Sequence, residues 1–509
     1  MSAFDVRELL RVAAEPAPSP DAEVPAGGGL PAEATVPARR NPALSPVVLT
    51  GLVRAFEFVM VAGLGLGLEW VQLAGVVPLN LRYVAAIAAV AAVCLGLFQA
   101  AGAYRFAALR NFPKTAVRLI AVWSLTFLMV VTAMMLAKVS DNYSRAWMAT
   151  WFVVGLGCIL LGRVGLAAFI AAQMRQGRFE RRTAIVGGGP DAEALIRALD
   201  ASGDGSIRIV GVFDDRGDDR AETVVAGYPK LGTVADLVAY ARRSPVDLVV
   251  FTIPISAETR ILQMLAKLWV LPIDIRLSAQ ATKLRLRPRA YSYLGTVPLL
   301  DVFDRPLADW DVIAKAAFDR SVGLALCAAL LPVMVTVALA VRLTSRGPIL
   351  FRQKRHGFNN ELIDVLKFRS MYVDQCDPAA ARQVTRGDPR VTPVGRFIRK
   401  TSLDELPQLF NVVRGNLSLV GPRPHALGAR AANTLYDQVV DGYFARHKVK
   451  PGITGWAQIN GWRGETDTSE KLQRRVEHDL YYIENWSIAF DLQILLTTPF
   501  ALLKTENAY

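Results

Sequence analysis

The sequence is poor in cysteine and histidine, with four of each in 509 residues. Cys94, Cys158 and Cys327 lie inside apolar segments, Cys376 stands apart, and no two are close in sequence. That excludes a disulfide framework and a cysteine-based metal cluster; the four read as small apolar filler in a reducing compartment. His356, His425, His447 and His478 lack metal-ligand spacing and read as polar or headgroup contacts. There is no uninterrupted Lys/Arg run, zinc-finger spacing or RNP-like stretch, so the formal charge of +13 does not point to nucleic acid. Anionic lipid or phosphorylated substrates remain as partners for a basic chain. No Tyr-x-x-x-Lys occurs, which removes the catalytic pair of a short-chain dehydrogenase or epimerase. No signal peptide is expected, because the first long apolar run starts too far in.

Apolar residues make up 52% of the chain and its mean hydropathy is +0.29. Both values suit membrane spans joined to cytosolic domains. Residues 1–45, rich in Ala, Pro, Gly and Glu, predict a disordered tail. Apolar stretches near 47–68, 83–103, 116–137 and 147–172 each approach the roughly 20 residues of a bilayer-crossing helix, giving a four-helix membrane region over 46–175. Arg54, Glu57 and Arg163 inside them are expected to snorkel or face a neighbouring helix. Arg39 and Arg40, then Arg105, Arg110 and Lys114, then Arg175, Arg178, Arg181 and Arg182 mark alternate loops as cytoplasmic.

Over 176–300 strands alternate with helices. Thr183–Val186, Ile207–Phe213, Asp247–Ile253 and Ile273–Arg276 read as strands, with helices after Gly187 and near 233–243. The alternation implies a parallel sheet and a Rossmann-like α/β domain. Gly187, Gly189 and Ala192 fit G-x-G-x-x-A between strand and helix, a geometry that holds a pyrophosphate, and Asp214 ends the next strand where it could bind a ribose. A bound nucleotide and a structural remnant both fit this loop.

After a linker at 301–312, residues 313–509 form a further domain. Its apolar stretch Ser321–Val341 is long enough to span, yet Lys315 and Arg320 precede it and Arg342, Arg346, Arg352, Lys354 and Arg355 follow it. Both flanks are then cytoplasmic, and Pro332 near the middle predicts a re-entrant helix–break–helix near 318–343. Residues 342–400 carry thirteen Lys and Arg against five Asp and Glu. Trp456, Trp462, Tyr481, Tyr482 and Trp486 suit a membrane interface. In the run Arg396–Phe410, Asp404 and Glu405 sit beside Arg396, Arg399 and Lys400. Ser402-x-x-Glu405 matches a capping box, so spacing alone leaves two readings: a helix start, or a nucleophile and cation ligand for phosphoryl transfer.

Several motifs decide between them by likeness. Lys315-x3-Asp319, Gly347-Pro-Ile-Leu-Phe-Arg-Gln-Lys-Arg355, Lys367-Phe-Arg-Ser-Met371, Thr401-Ser-Leu-Asp-Glu-Leu-Pro-Gln-Leu-Phe-Asn411, Gly415-Asn-Leu-Ser-Leu-Val-Gly-Pro-Arg-Pro424 and Arg446-His-Lys-Val-Lys-Pro-Gly-Ile-Thr-Gly-Trp-Ala-Gln-Ile-Asn-Gly461 occur in order. Together they resemble the bacterial sugar transferases, the polyprenyl-phosphate hexose-1-phosphate transferases, in a long form that includes undecaprenyl-phosphate glucose phosphotransferases. The resemblance implies a membrane bundle, a Rossmann-like domain and an α-rich interface catalytic domain in a bacterial inner membrane, with catalysis on the cytoplasmic side. It implies Asp404 as nucleophile, and Glu405 as its partner in activation or Mg²⁺ binding. Lys367, Arg423 and Arg396 would bind substrate phosphate, and Pro451, Gly452, Thr454, Gly455, Trp456 and Gln458 would shape the active-site loop. Leu331 stands where the family often has Ser before the breaking Pro. The implied substrates are a UDP-sugar, glucose before galactose, and undecaprenyl phosphate, and a homo-oligomer is left open. Two rivals stand beside this reading: a membrane-anchored NAD-dependent nucleotide-sugar epimerase or dehydratase, and a non-catalytic nucleotide-sugar-sensing scaffold.

Overall fold

A computed structural model describes residues 44–73, 81–201, 206–216, 223–254, 257–279, 291–294, 297–373, 388–425, 430–431, 434–435, 443–462 and 468–503. The tail expected to be disordered lies, up to residue 43, outside these residues, as does Cys376. The chain forms two compact units, Arg39–Glu180 and a larger one containing Arg181–Tyr509.

The first unit holds α1 (Pro46–Leu73), α2 (Leu81–Ala100), the short α3 (Phe106–Arg110), α4 (Phe112–Leu136) and α5 (Arg145–Arg175). Except for α3, these are long and apolar enough to cross a membrane. Three tryptophans fill the centre. Trp123 donates its indole N–H to Phe152 O, Trp147 to Gly65 O and Trp151 to Val61 O, so each of these three indole N–H groups is paired. A Cβ on Gly65 would lie 2.8 Å from the Trp151 ring, and one on Gly155 2.6 Å from Trp123, so small residues let the helices close. Of the charges expected to snorkel or face a neighbouring helix, Glu57 and Arg163 face one another. Arg163 Nε lies 2.7 Å from Glu57 Oε1, and Tyr104 donates to Glu57 Oε2 at 2.7 Å. Arg54 and Arg163 each stand 5.1 Å from the centre of the Tyr104 ring.

The second unit begins with an eight-stranded sheet. Its strands are β1 (Arg181–Val186), β2 (Ile207–Phe213), β3 (Val224–Val225), β4 (Tyr228–Gly232), β5 (Leu248–Phe251), β6 (Asp274–Ser278), β7 (Tyr291–Leu294) and β8 (Val297–Phe303), in the order β3-β4-β2-β1-β5-β6-β8-β7. Helices α6 (Pro190–Ala201), α7 (Val234–Arg243) and α8 (Glu258–Leu268) connect the central strands. The centre is parallel as expected, and β5 is buried along its whole length. The edges are not: β3, β7 and β8 pair antiparallel. Two-residue links, Ala226-Gly227 (φ 47° and 87°) and residues 295–296, are too short for a crossover and force hairpins. Ordered structure also occupies most of the stretch expected as linker, because β8 runs on to Phe303 and α9 starts at Asp309.

Helix α9 (Asp309–Thr344) is 36 residues long and stays helical through Pro332, so the expected separation into two helices does not occur there. One proline removes one donor, and the turns on either side keep theirs. Beyond it lie the antiparallel pair β9 (Leu350–His356) and β10 (Leu362–Phe368), α10 (Pro393–Lys400), α11 (Gln408–Arg414), β11 (Ser418–Val420), β12 (Arg430–Ala431), β13 (Thr434–Leu435), β14 (Gly452–Thr454), α12 (Trp456–Ile459), α13 (Ser469–Glu484) and α14 (Ile488–Leu503). β11 and β14 pair in parallel. This part meets the sheet domain through Asn359, which donates to Ala241 O, and through Arg242 and Lys448, each 4.8 Å from the ring of Phe444 and Trp269 respectively.

Candidate active site

Four local devices bring the dyad to its basic surroundings. Thr392 caps α10 by accepting from Gly395 N at 2.8 Å, with Pro393 following as the first helical residue. Ser402 then turns the chain with φ 59°, a left-handed conformation rare outside glycine. The next residues form a single 3₁₀ turn, Leu403–Glu405, that carries both carboxylates. Finally Asn411, 1% exposed, staples α11 to β10: its Oδ1 accepts from Leu366 N at 3.0 Å and its Nδ2 donates to Asp364 O at 2.7 Å. The amide takes the place of a neighbouring strand and sets Lys367 opposite Glu405.

Glu405 is clamped. Its Oε1 accepts from Lys367 Nζ at 2.8 Å and from Arg423 Nη2 at 2.6 Å, and Oε2 accepts from Arg423 Nη1 at 3.3 Å. The capping-box reading therefore fails, because this side chain points to cations 38 and 18 residues away in sequence and Ser402 makes no side-chain cap. Burial opposes ionisation of Glu405, but Arg423 and Lys367 outweigh it and hold the carboxyl well below its ordinary range. Asp404 differs. It makes no hydrogen bond with any described residue and is half-buried. Burial raises its carboxyl above the usual aspartate value; Lys367 pulls against this and the charge of Glu405 adds to it. Two adjacent carboxylates with their proton affinities pushed apart can take separate roles.

Arg355 and Arg399 join the site without having been assigned to it. Arg355 lies close enough to interact with Arg423, Glu405 and Asp404, and burial pushes its guanidinium down to about 10, so it stays cationic at neutral pH. Arg399 is the α10 residue that acts on Asp404. Arg396, expected to bind phosphate, is exposed and makes no contact with the dyad among the described residues. Arg399 lies one turn nearer the helix end that leads into the dyad, a signal the sequence did contain. Four cations, Arg355, Lys367, Arg399 and Arg423, thus surround two anions, a surplus suited to a diphosphate.

The glycines of the expected active-site loop serve close approach. A Cβ on Gly452 would stand 2.1 Å from Gly421 N, and one on Gly455 2.3 Å from Gly421 O, so β14 lies directly against the segment that leads to Arg423. Pro451 is buried and Trp456 stacks on Tyr481 with ring centres 6.0 Å apart. Thr454 and Gln458 line a cleft of about 180 Å³ whose polar end is Ser402, Glu405 and Arg423 and whose body includes Leu326, Leu330, Leu406 and Ile453. Helix α9 is fixed to the same framework. Buried Lys315 donates to Asp319 Oδ1 (3.1 Å), Asp491 Oδ2 (2.6 Å) and Val420 O (3.1 Å).

In the α/β part the glycine loop lies between β1 and α6. Gly187 and Gly189 adopt φ 97° and 89°, and Asp214 Oδ2 accepts from Gly188 N at 2.8 Å. Arg216 donates to the same oxygen through Nε and Nη2 at 2.8 and 2.6 Å. Burial works against the Asp214 charge, yet these bonds hold the carboxyl below its ordinary value.

A family model described as bacterial sugar transferase matches residues 310–505. The chain is also 33% identical, over 90% of its length and 94% of the relative's, to a UDP-glucose:undecaprenyl-phosphate glucose-1-phosphate transferase of Xanthomonas campestris pv. campestris. The chain belongs to the bacterial sugar transferase family. A protein of the same description from Escherichia coli (strain K12) is 36% identical over 72% of this sugar transferase and 77% of its own length. An undecaprenyl-phosphate glucose phosphotransferase of Komagataeibacter xylinus is 43% identical over 65% of this chain, a match that spans 61% of that relative. A second model, described as a CoA-binding domain, matches residues 99–279.

Proposed function

We propose that this sugar transferase moves glucose-1-phosphate from UDP-glucose to undecaprenyl phosphate, releasing UMP, as a first membrane step of exopolysaccharide or capsule synthesis. The observation that carries this reading is an Asp404 carboxylate without a hydrogen bond among the described residues, next to a clamped Glu405 that lines a largely apolar cleft. A water-soluble diphosphate and a lipid-borne phosphate need such a meeting place, and the activities named for the relatives support it.

The reaction proceeds in two displacements. An Asp404 oxygen attacks the sugar-linked phosphorus of the donor, the bond to the α-phosphate oxygen breaks, and UMP leaves. An oxygen of the lipid phosphate then attacks the same phosphorus, and Asp404 is released as carboxylate. Lys367, Arg355, Arg399 and Arg423 offset the phosphate charge in both steps. Glu405, whose carboxyl Arg423 and Lys367 hold well below its ordinary range, keeps both cations aligned.

The donor set also suits Mg²⁺. Among the described residues Asp404 makes no side-chain hydrogen bond and Glu405 Oε2 carries a single long one. Among the described residues no cluster of three or more His, Cys, Asp or Glu encloses a metal. A hard cation held by one or two carboxylates and completed by substrate phosphates fits that pattern. Bound there, Mg²⁺ would neutralise charge on the leaving phosphate.

Helix α9 is re-entrant in this proposal, with both ends at the cytoplasmic face of the inner membrane. Near its start Lys315 holds Val420 O; near its end Arg369 donates to Ser345 O at 2.7 Å, and Met334, Val337 and Val341 pack with Phe368 and Ile398. Both arms thus serve one catalytic domain, which a helix crossing the bilayer would separate.

Asp404→Asn tests the reaction. Membranes carrying it should release no UMP from UDP-glucose with undecaprenyl phosphate, across a panel of UDP-sugars that also tests glucose against galactose. Parental turnover in that variant removes the nucleophile role.

A further inference from the structure

Arg423 stands between two prolines, Pro422 and Pro424. Proline has no N–H and fixes its own φ, and it pushes the residue before it towards extended backbone. Neighbours can therefore hold this segment chiefly through its carbonyls, and three successive ones are taken. Pro422 O accepts from Gly452 N at 3.0 Å. Arg423 O accepts from Arg446 Nη2 at 3.0 Å. Pro424 O accepts from Arg355 Nη1.

The middle contact comes from a side chain built for it. Arg446 is 1% exposed. Its Nε donates to Asp479 Oδ2 at 3.1 Å, its Nη2 reaches the same oxygen, and its Nη1 lies 2.6 Å from His425 Nδ1. Asp479 is 2% exposed. A charge this deep is tolerated only when paired and hydrogen-bonded, and the planar fork spends its remaining donor on the Arg423 carbonyl.

We propose that Arg446 is a positioning residue for phosphoryl transfer: it holds the Arg423 main chain so that the Arg423 guanidinium stays aimed at Glu405 and the substrate phosphate. The inference rests on the reaction assigned above and adds a role outside the reacting groups. Arg446 touches neither Asp404 nor Glu405 and acts through Arg423 alone.

A double-mutant cycle on the full-length protein in lipid nanodiscs tests it, read as UMP release from UDP-glucose with undecaprenyl phosphate. Arg446→Lys keeps the charge and its pairing with Asp479 but loses the fork. It should lower kcat about tenfold or more while the donor KM stays within about twofold. In an Arg423→Ala background the same substitution should change kcat by less than about twofold, because its effect passes through Arg423. Asp479→Asn, which keeps the shape and loosens the Arg446 partner, carries the same cycle if Arg446→Lys does not fold. Parental kcat in Arg446→Lys, or an equal loss in both backgrounds, overturns the positioning role while leaving the reaction standing. A parent protein that is silent with every UDP-sugar overturns both.

Discussion

Replacing Lys367 by Met removes one of the two cations on Glu405 while keeping an unbranched apolar stem. At the observed 2.8 Å, an effective dielectric of 20 gives about 6 kcal/mol of gross attraction. Most of that is offset by the desolvation of a buried ammonium, which also lowers the Lys367 pKa. Arg423 keeps its own contacts with Glu405, so the stability loss should be about 1–3 kcal/mol. Catalysis should suffer more, because Lys367 is also placed to meet phosphate charge; loss of one such donor typically lowers kcat about 10²–10³-fold. The pH profile supplies an independent sign. Asp404 must be ionised to attack, so the rate falls as pH drops through its folded pKa. That value is already raised by burial, and Lys367 is the leading influence holding it down. The acid limb of Lys367→Met should therefore begin at higher pH than that of the parent, and Lys367→Arg should recover part of both effects. Initial UMP-release rates across pH 5–8, paired with thermal melts, measure this. A Lys367→Met enzyme within about threefold of parental kcat, with an unmoved acid limb, refutes the electrostatic role.

Asn411→Leu should strand the buried Leu366 N–H, at about 1–3 kcal/mol, and lose the part-buried bond to Asp364 C=O as well; an unchanged melting temperature would contradict the staple. Two buried histidines predict acid sensitivity. Burial, then neighbouring arginine charge, holds His425 and His447 well below the ordinary histidine value, so the unfolded chain takes up protons near pH 6.5 that the folded chain refuses. Stability is therefore full above that pH and falls below it, by up to about 1.4 kcal/mol per pH unit for each group. Melts from pH 7.5 to 5 should show a decline that is smaller in His447→Asn; a flat curve refutes this.

The membrane helices and the central sheet were legible because each is set by local pattern. A run of apolar residues needs only its length, and alternating strands and helices need only their period. The antiparallel edges were harder, since they depend on two-residue links rather than on the strands themselves. The dyad was the real ambiguity. Ser402 and Glu405 fit a helix start on spacing, and what decides against it is long-range: Lys367 and Arg423 meet Glu405 only after β10 and the Pro422–Pro424 segment are in place. For the same reason the sequence does not single out Arg399 or Arg355, which act on the dyad only in the fold. Likeness to a family pointed to Asp404, Lys367 and Arg423, but not to Arg355 and Arg399, which only the fold brings beside them.

One strand ties the long apolar helix α9 to the candidate site. Val420 O, at the end of β11, accepts from Lys315 of α9 and from Tyr482 Oη of α13. Tyr482 and Trp486 also donate to Asp491 of α14, which takes a third bond from Lys315. Three residues beyond Val420 stands Arg423. The carbonyl that fixes the apolar helix is thus separated from Arg423, the partner of Glu405, only by Gly421 and Pro422, and each of those is pinned to β14, Gly421 N on Thr454 O and Pro422 O on Gly452 N. No flexible joint lies between them. If α9 is re-entrant and Arg423 holds a phosphate, as proposed, a rigid β11 would make the height of the reaction above the lipid a property of the fold. A lipid-borne phosphate, itself confined to one depth, then meets Asp404 with little search in the third dimension.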